Sequence, residues 1–447
     1  MTVNFLAYVA FSAPQTINNS YNMRQKDMAR QVIRGEILAA DGTVLARQAL
    51  DQEDREVRNY PYGRLFAHVV GFADNGAQGI EYASNVRLLT SNAPMDEKLS
   101  KEMSGLRNYG DTAVTSLDIG LQKAAFEALG NYRGAVVAME PKTGRVLAMV
   151  SKPDFDPNFI VENWDEISSD EENSPLVNRA AQGLYPPGST FKIATLLEYL
   201  REHPGDYGDY RYTCSGRIRE GENTIECYHG SVHGSIDLTQ AFAKSCNCSF
   251  ASMGLALSVP DFEDTAAELL FDRKLPIDLS YSRSRFSLNS QSESFERMQT
   301  AMGQGKTLVT PMHMALITSA IANGGVMMKA TEIDRIQSYK GTVVKEYPPE
   351  EYRRIMSQEE AIELTAFMEE VVNTGTGRKL KGLPYTVAGK TGSAEFGTEK
   401  GKSHAWFTGF SNVEDPELTV TVLIEGAGSG SDYAVPVAKR VFDAYYS

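Results

Sequence analysis

Tyr185-Pro186-Pro187-Gly188-Ser189-Thr190-Phe191-Lys192 joins a proline–glycine turn to the start of a helical pattern. Apolar Phe191, Ile193, Ala194, Leu196, Leu197 and Leu200 follow at helical spacing. Ser189-Thr190-Phe191-Lys192 is the one Ser-x-x-Lys in the 447 residues. On a helix, residues three apart share a face with Cβ atoms about 5–6 Å apart, so the Lys192 amine reaches the Ser189 hydroxyl. A serine attacks only when a base takes its proton. The first helical turn adds exposed N–H groups and the positive end of the helix dipole. Alone, the tetrad reads better as an ordinary surface turn opening a helix, and its partners decide the case.

Two partners are present. Ser245-Cys246-Asn247 supplies a second hydroxyl and an amide that can relay protons and hold a substrate amide. Ser-x-Asn recurs at Ser20-Tyr21-Asn22 and Ser287-Leu288-Asn289, which read as polar loops. Lys390-Thr391-Gly392, followed by Ser393, lies in a β-rich stretch whose glycines allow close approach of a ligand. Its cation and hydroxyl suit a substrate carboxylate. Lys142-Thr143-Gly144 copies the motif but joins two apolar runs, Ala135 to Met139 and Val146 to Val150, and reads as a hairpin turn.

In this order, the three motifs resemble those of the penicilloyl-serine transferases. The chain closely resembles a class B penicillin-binding protein, and the likeness covers nearly all of it. Further shared stretches are Thr115-Ser116-Leu117-Asp118, Met302-Gly303-Gln304-Gly305, Ala322-Asn323-Gly324-Gly325 and His404-Ala405-Trp406-Phe407-Thr408-Gly409-Phe410. The resemblance implies an α+β fold: an antiparallel sheet with helices on both sides, plus a small β-rich N-terminal pedestal of the dimerisation type. It implies a peptidoglycan D,D-transpeptidase. Ser189 attacks the D-Ala-D-Ala end of a stem peptide, Lys192 acts as base and Ser245 relays the proton. Asn247 binds the peptide backbone. Lys390 and Thr391, with Gly392 and Ser393, receive the carboxylate and scissile carbonyl. β-Lactams are expected to acylate Ser189, and a membrane glycosyltransferase is the expected partner. A D,D-carboxypeptidase, a serine β-lactamase and a non-catalytic β-lactam sensor share the motifs and stay open.

Cys214, Cys227, Cys246 and Cys248 lie within 35 residues. In an exported protein a disulfide is expected, with Cys214–Cys227 the obvious pair. Cys214, Cys227, His233 and Cys246 also form a three-thiolate, one-imidazole set suited to structural tetrahedral zinc, as some class B relatives carry at this place. The chemistry itself requires no cofactor. Cys248, two residues beyond Cys246, is expected on another helix face, and His229 is a spare ligand.

Length bounds the chain to two or more domains. We expect 1–30 as a linker or anchor remnant, 31–110 as the pedestal, and 111–447 as the transpeptidase domain. Lys plus Arg is 44 and Asp plus Glu is 58, so net charge is −14, which disfavours nucleic acid as a partner. No apolar run approaches the ~20 residues of a membrane span. Asn4 to Phe11 is too short, so a family-type N-terminal anchor is expected to be missing from this chain, whose place is the outer face of the cell membrane. Within the body, Ile33–Leu38 and Val44–Ala46 should form a hairpin about Asp41-Gly42. Ala301–Asn323 and Glu359–Asn373 read as helices, Glu162–Glu172 as a solvated loop, Leu418–Ile424 as a strand and Val435–Tyr446 as a closing helix. His68 reads as a packing or surface residue, and His313 and His404 as packing residues.

Overall fold

The computed structural model describes residues 30–396 and 402–447; the expected anchor remnant, including Asn4 to Phe11, lies almost wholly outside them. At its centre is an antiparallel sheet of β1 (Gly134–Met139), β2 (Val146–Lys152), β3 (Val387–Glu395), β4 (Ser403–Ser411) and β5 (Leu418–Ile424). Its order is β3–β4–β5–β1–β2, which leaves β3 on an edge. Successive strand side chains point to opposite faces. Ala135, Val137 and Met139 therefore join one core while Val136 and Ala138 join the other. Both faces are covered, which is why β1, β2 and β5 read as mostly apolar runs.

The cover comes from helices. They include α1 (Ile119–Leu129), α2 (Lys192–Glu202), α3 (Asn247–Ala256), α4 (Pro311–Ala322) and α5 (Val435–Tyr445). α1 and α5 lie on the Val136 face and α4 on the Val137 face. Asp118 caps α1 by accepting a hydrogen bond from the Leu121 N–H. The Lys142-Thr143-Gly144 turn joins β1 to β2 as expected, with Gly144 at φ +76°. Among the described residues no helix is long and apolar enough to cross a membrane.

The pedestal sheet has six strands, in the order 343–346, 333–337, 112–115, 37–38, 44–50 and 56–59. The Asp41-Gly42 hairpin is present. A division at residue 110 does not enclose this sheet, because Thr112–Thr115 lies inside it and two strands return from 333–346. Those returning strands carry Arg335, Lys345 and Glu346 and lack a clean apolar alternation. Beneath the sheet, Glu81 is fully buried between Arg34 (2.6 Å) and Arg58 (2.7 Å).

Two other expectations change. Ala301–Asn323 is not one helix. A helix ends at Ala301, Gly303 and Gly305 take φ +86° and +85°, and α4 starts only at Pro311. The acidic Glu162–Glu172 stretch is exposed as expected but holds a short helix, Trp164–Ser169.

Candidate active site

Ser189 lies in a single 3-10 turn, Gly188–Phe191, that runs straight into α2. Phe191 anchors the turn among the rings of Phe262, Phe271 and Phe286. Gly188 adopts φ +54° and donates its N–H to the Gly303 carbonyl at 2.8 Å. A Cβ at Gly303 would stand 1.7 Å from the Gly188 oxygen, so the Met302-Gly303-Gln304-Gly305 stretch serves as a mould for the serine turn. On the other side, a Cβ at Gly392 would come within 3.2 Å of Thr190, so glycine there lets β3 close against the same turn.

The Lys192 side chain is fully buried. Its amine donates to Asn247 Oδ1 (2.8 Å), the Ser245 carbonyl (2.8 Å) and Ser245 Oγ (3.3 Å). Lys390, also fully buried, donates to the same Ser245 Oγ at 2.9 Å and to the Thr391 carbonyl at 3.1 Å. Ser245 sits at φ +56°, a strained backbone for a non-glycine residue that turns its hydroxyl between the two amines. Burial pushes the Lys192 amine down to about 8, with the neighbouring Cys246, Cys227 and Cys248 sulfurs opposing. Burial, then the charge of Lys192, holds Lys390 well below its ordinary range.

Ser189, Ser245, Asn247, Thr391, Gly392 and Ser393 line one cavity of about 210 Å³. All the expected residues thus converge, with two changes of detail. The Asn247 amide bridges two neighbours: Oδ1 accepts from Lys192 and Nδ2 donates to the Glu226 carbonyl at 3.0 Å. It thereby ties the Lys192 amine to the strand that carries Glu226. Lys390 is fully buried and does not line the cavity, whose wall at Thr391 is built of hydroxyls. Thr391 Oγ1 is 2.5 Å from Thr376 Oγ1, and Ser429 and Ser431 line the same wall. Thr376, Ser429 and Ser431 were not foreseen; only the glycine-rich runs around them mark turns that can approach a site. A larger cavity of about 650 Å³ lies between the pedestal and residues 277–281, away from these groups.

His68, His313 and His404 pack as expected: His68 Nε2 contacts the Pro175 carbonyl, His313 Nε2 the Leu269 carbonyl, and His404 stacks on Phe396. The second Ser-x-Asn, at Ser287, bonds to Thr300 and Thr307 away from the cavity, while Ser20-Tyr21-Asn22 lies outside the described residues.

Beside the cavity, the ligand atoms of Cys214, Cys227, His233 and Cys246 all lie within 4.8 Å of one another. The four cysteines are free thiols, and Cys214–Cys227 is not bonded. Cys227 Sγ is 3.7 Å from both Cys214 Sγ and Cys246 Sγ. His233 Nδ1 is 3.4 Å from Cys214 Sγ and 3.6 Å from Cys227 Sγ. Tetrahedral zinc, with bonds of about 2.3 Å to sulfur and 2.0–2.1 Å to nitrogen, implies edges of about 3.8 Å (S–S) and 3.6 Å (S–N). The donor set fits that geometry. Cys248 is closer than expected, 3.4 Å from Cys227 Sγ. Cys246 is the N-cap of α3, not part of its regular turns, so the helical-face argument does not separate the two. His229 meets Tyr228 edge-on, outside the set.

Residues 134–444 match the model of the penicillin binding protein transpeptidase domain, and 34–112 match the penicillin binding protein A dimerisation domain. The chain belongs to the penicillin-binding protein transpeptidase family. It is 30% identical to the peptidoglycan D,D-transpeptidase PbpA of Mycolicibacterium smegmatis, over 92% of this chain and 88% of that one. Penicillin-binding protein A of M. tuberculosis, in a ceftriaxone acyl-enzyme complex, superposes with a TM-score of 0.85 at 27% identity, covering 95% of this chain and all of that one. A D,D-transpeptidase domain from Eggerthella lenta gives 0.83 at 29% identity, covering 93% of this chain and 98% of that one.

Proposed function

We infer that this penicillin-binding protein is a peptidoglycan D,D-transpeptidase. The observation that carries the reading is the Ser245 hydroxyl held between two buried amines at the nucleophile. Neutral Lys192 takes the Ser189 proton as Oγ attacks the carbonyl of the penultimate D-Ala. Backbone N–H groups of Ser189 and Ser393 receive the developing oxyanion, each such donor contributing about 2.7–4 kcal/mol. The peptide C–N bond breaks, and Ser245 passes the proton to the departing D-Ala amine. The terminal carboxylate rests on the hydroxyls of Thr391 and Thr376. An amine of a second stem peptide then attacks the acyl-enzyme and closes the cross-link. Among the described residues no carboxylate lines the 210 Å³ cavity to activate water, which favours an amine over β-lactamase or carboxypeptidase chemistry. β-Lactams enter as D-Ala-D-Ala mimics and leave Ser189 acylated. Ser189→Ala is expected to abolish covalent labelling by a fluorescent penicillin; labelling that survives would overturn the reading, and steady nitrocefin turnover would favour a β-lactamase.

A structural zinc held by Cys214, Cys227, His233 and Cys246 is part of the proposal. When bound it supplies cross-linking and no acid–base chemistry. The residues themselves do the positioning: the strand Asn223–Glu226 ends beside Cys227, and its Glu226 carbonyl fixes Asn247. Metal analysis and thiol titration test this: about one zinc per chain, lost in Cys227→Ser, is expected, and a metal-free protein with missing thiols would refute it. The work is placed at the extracytoplasmic face of the cell membrane, beside a membrane glycosyltransferase that makes the glycan strand.

A further inference from the structure

The cavity of about 650 Å³ at the junction of pedestal and catalytic domain has walls that include Ser84, Arg87, Ile277, Asp278, Glu332 and Ile333. Buried polar groups are ordinarily satisfied, because an unpaired one has lost its water without gaining a partner. Three groups on this cavity break that rule. Ser84 is 2% exposed and stands at the N-cap of the turn Asn85–Leu88, where a serine hydroxyl ordinarily accepts from the helix. Its Oγ has no partner among the described residues. Glu332 is 3% exposed, and its Oε1 also lacks one. Arg87 is half-buried, three residues beyond Ser84, and makes no hydrogen bond or ion pair among the described residues. Other pedestal arginines are committed: Arg34 and Arg58 to Glu81, and Arg107 to Glu56.

These groups give the cavity two poles. Glu332 and Asp278 form the negative one, from which Lys329 neutralises part by pairing with Asp278 at 3.2 Å. Burial, then the charge of Asp278, pushes the Glu332 carboxyl up to about 7, so a cation beside it would be stabilised. Arg87 and Ser84 form the donating pole, on the pedestal side. Arg87 is not among the charges that act on Glu332, so the poles stand apart. A ligand that satisfies both carries an ammonium and a carboxylate at separate ends. A free amino acid, with one carbon between its charges, is too short.

We propose that the junction cavity is a binding site for a short zwitterionic peptide, whose ammonium pairs with Glu332 and whose carboxylate is received by Arg87 and the Ser84 hydroxyl. The site is separate from the serine cleft and does not depend on the reaction carried out there. Its walls belong to both domains, so an occupant bridges pedestal and catalytic domain.

The probe is L-Ala-L-Ala, titrated by calorimetry into the full chain after Ser189 has been acylated with benzylpenicillin, which closes the serine cleft to it. Two relatives of the probe remove one charge each: N-acetyl-L-Ala-L-Ala lacks the ammonium, and L-Ala-L-Ala amide lacks the carboxylate. The wild type should bind the free dipeptide at least about 10-fold more tightly than either, the scale of one hydrogen bond to a charged group. E332Q should weaken the free dipeptide by about 10-fold and leave the N-acetyl form unchanged, since that form has no ammonium to lose. R87Q should likewise weaken the free dipeptide and leave the amide unchanged. L-Alanine should bind at least about 10-fold more weakly than the dipeptide, because it reaches one pole only. Equal affinity for the three dipeptide forms, no binding of the free dipeptide, alanine matching the dipeptide, or folded variants that weaken all three forms alike would each overturn the proposal. The comparison of blocked and free peptides uses only the wild type, so it decides even if a substitution prevents folding.

Discussion

Lys192 should set the pH dependence of acylation. Only its neutral form can take the serine proton. Burial lowers it from 10.5 to about 8. At pH 7 an amine with a pKa of about 8 is roughly 10% neutral, whereas one at 10.5 is about 0.03% neutral. The difference, 10.5 − 8 = 2.5, enlarges the competent fraction about 300-fold, or ~3.4 kcal/mol. The sign follows: protonation removes the base, so the rate falls as pH drops below about 8 and levels above it. The assay is the second-order rate of benzylpenicillin acylation from pH 6 to 9.5, expected to rise tenfold per pH unit and then flatten. Asn247→Asp supplies a second arm. It would put a carboxylate where Asn247 Oδ1 now accepts from Lys192 at 2.8 Å. An opposite charge that close raises an amine's pKa by about 1–3, moving the midpoint up and cutting the neutral-pH rate by about 10- to 1,000-fold. A flat profile, a rise that continues to pH 9.5 without levelling, or an Asn247→Asp midpoint equal to wild type would refute the assignment of Lys192 as base.

Glu81→Gln should destabilise the pedestal by about 3–5 kcal/mol, because it strands the buried charges of Arg34 and Arg58; a melting temperature close to wild type would contradict this. Burial pushes the Glu81 carboxyl up, but the two arginines more than offset it and hold it below 4.5, so the same stabilisation should fade as acid titrates it. Gly303→Ala should slow acylation more than tenfold, since φ +86° costs about 1–2 kcal/mol in any L-residue and the new Cβ meets the Gly188 oxygen. Gly76→Ala, also at positive φ but with nothing within 4 Å, is the control that should leave acylation intact.

The reactive core was legible because it is local. Ser189 and Lys192 share one turn, and the Ser-x-Asn and Lys-Thr-Gly motifs each carry their geometry in three residues. Thr376, Ser429 and Ser431 were hidden because each arrives on its own loop, and no spacing links them to the nucleophile. Gly303 and Gly305 misled the helix assignment, since the flanking pattern stays apolar while positive φ breaks the chain. The cysteine geometry was half legible: the four-donor set stands together, but the N-cap at Cys246 brings Cys248 nearer than helical spacing allows. The pedestal's far strands were illegible because Arg335, Lys345 and Glu346 interrupt their apolar pattern.

Those far strands carry a consequence for how the molecule is made. Strand 333–337 pairs directly with Thr112–Thr115. A chain emerging from its N-terminus therefore holds an open sheet edge until about three quarters of its 447 residues are out. Long-range pairing of this kind is slow and exposes a sticky edge meanwhile. The transpeptidase domain is in effect threaded through its own support, so neither half can be cut free at residue 110 without leaving a strand unpaired. Assembly order, and not only the final geometry, ties the serine site to the platform that carries it.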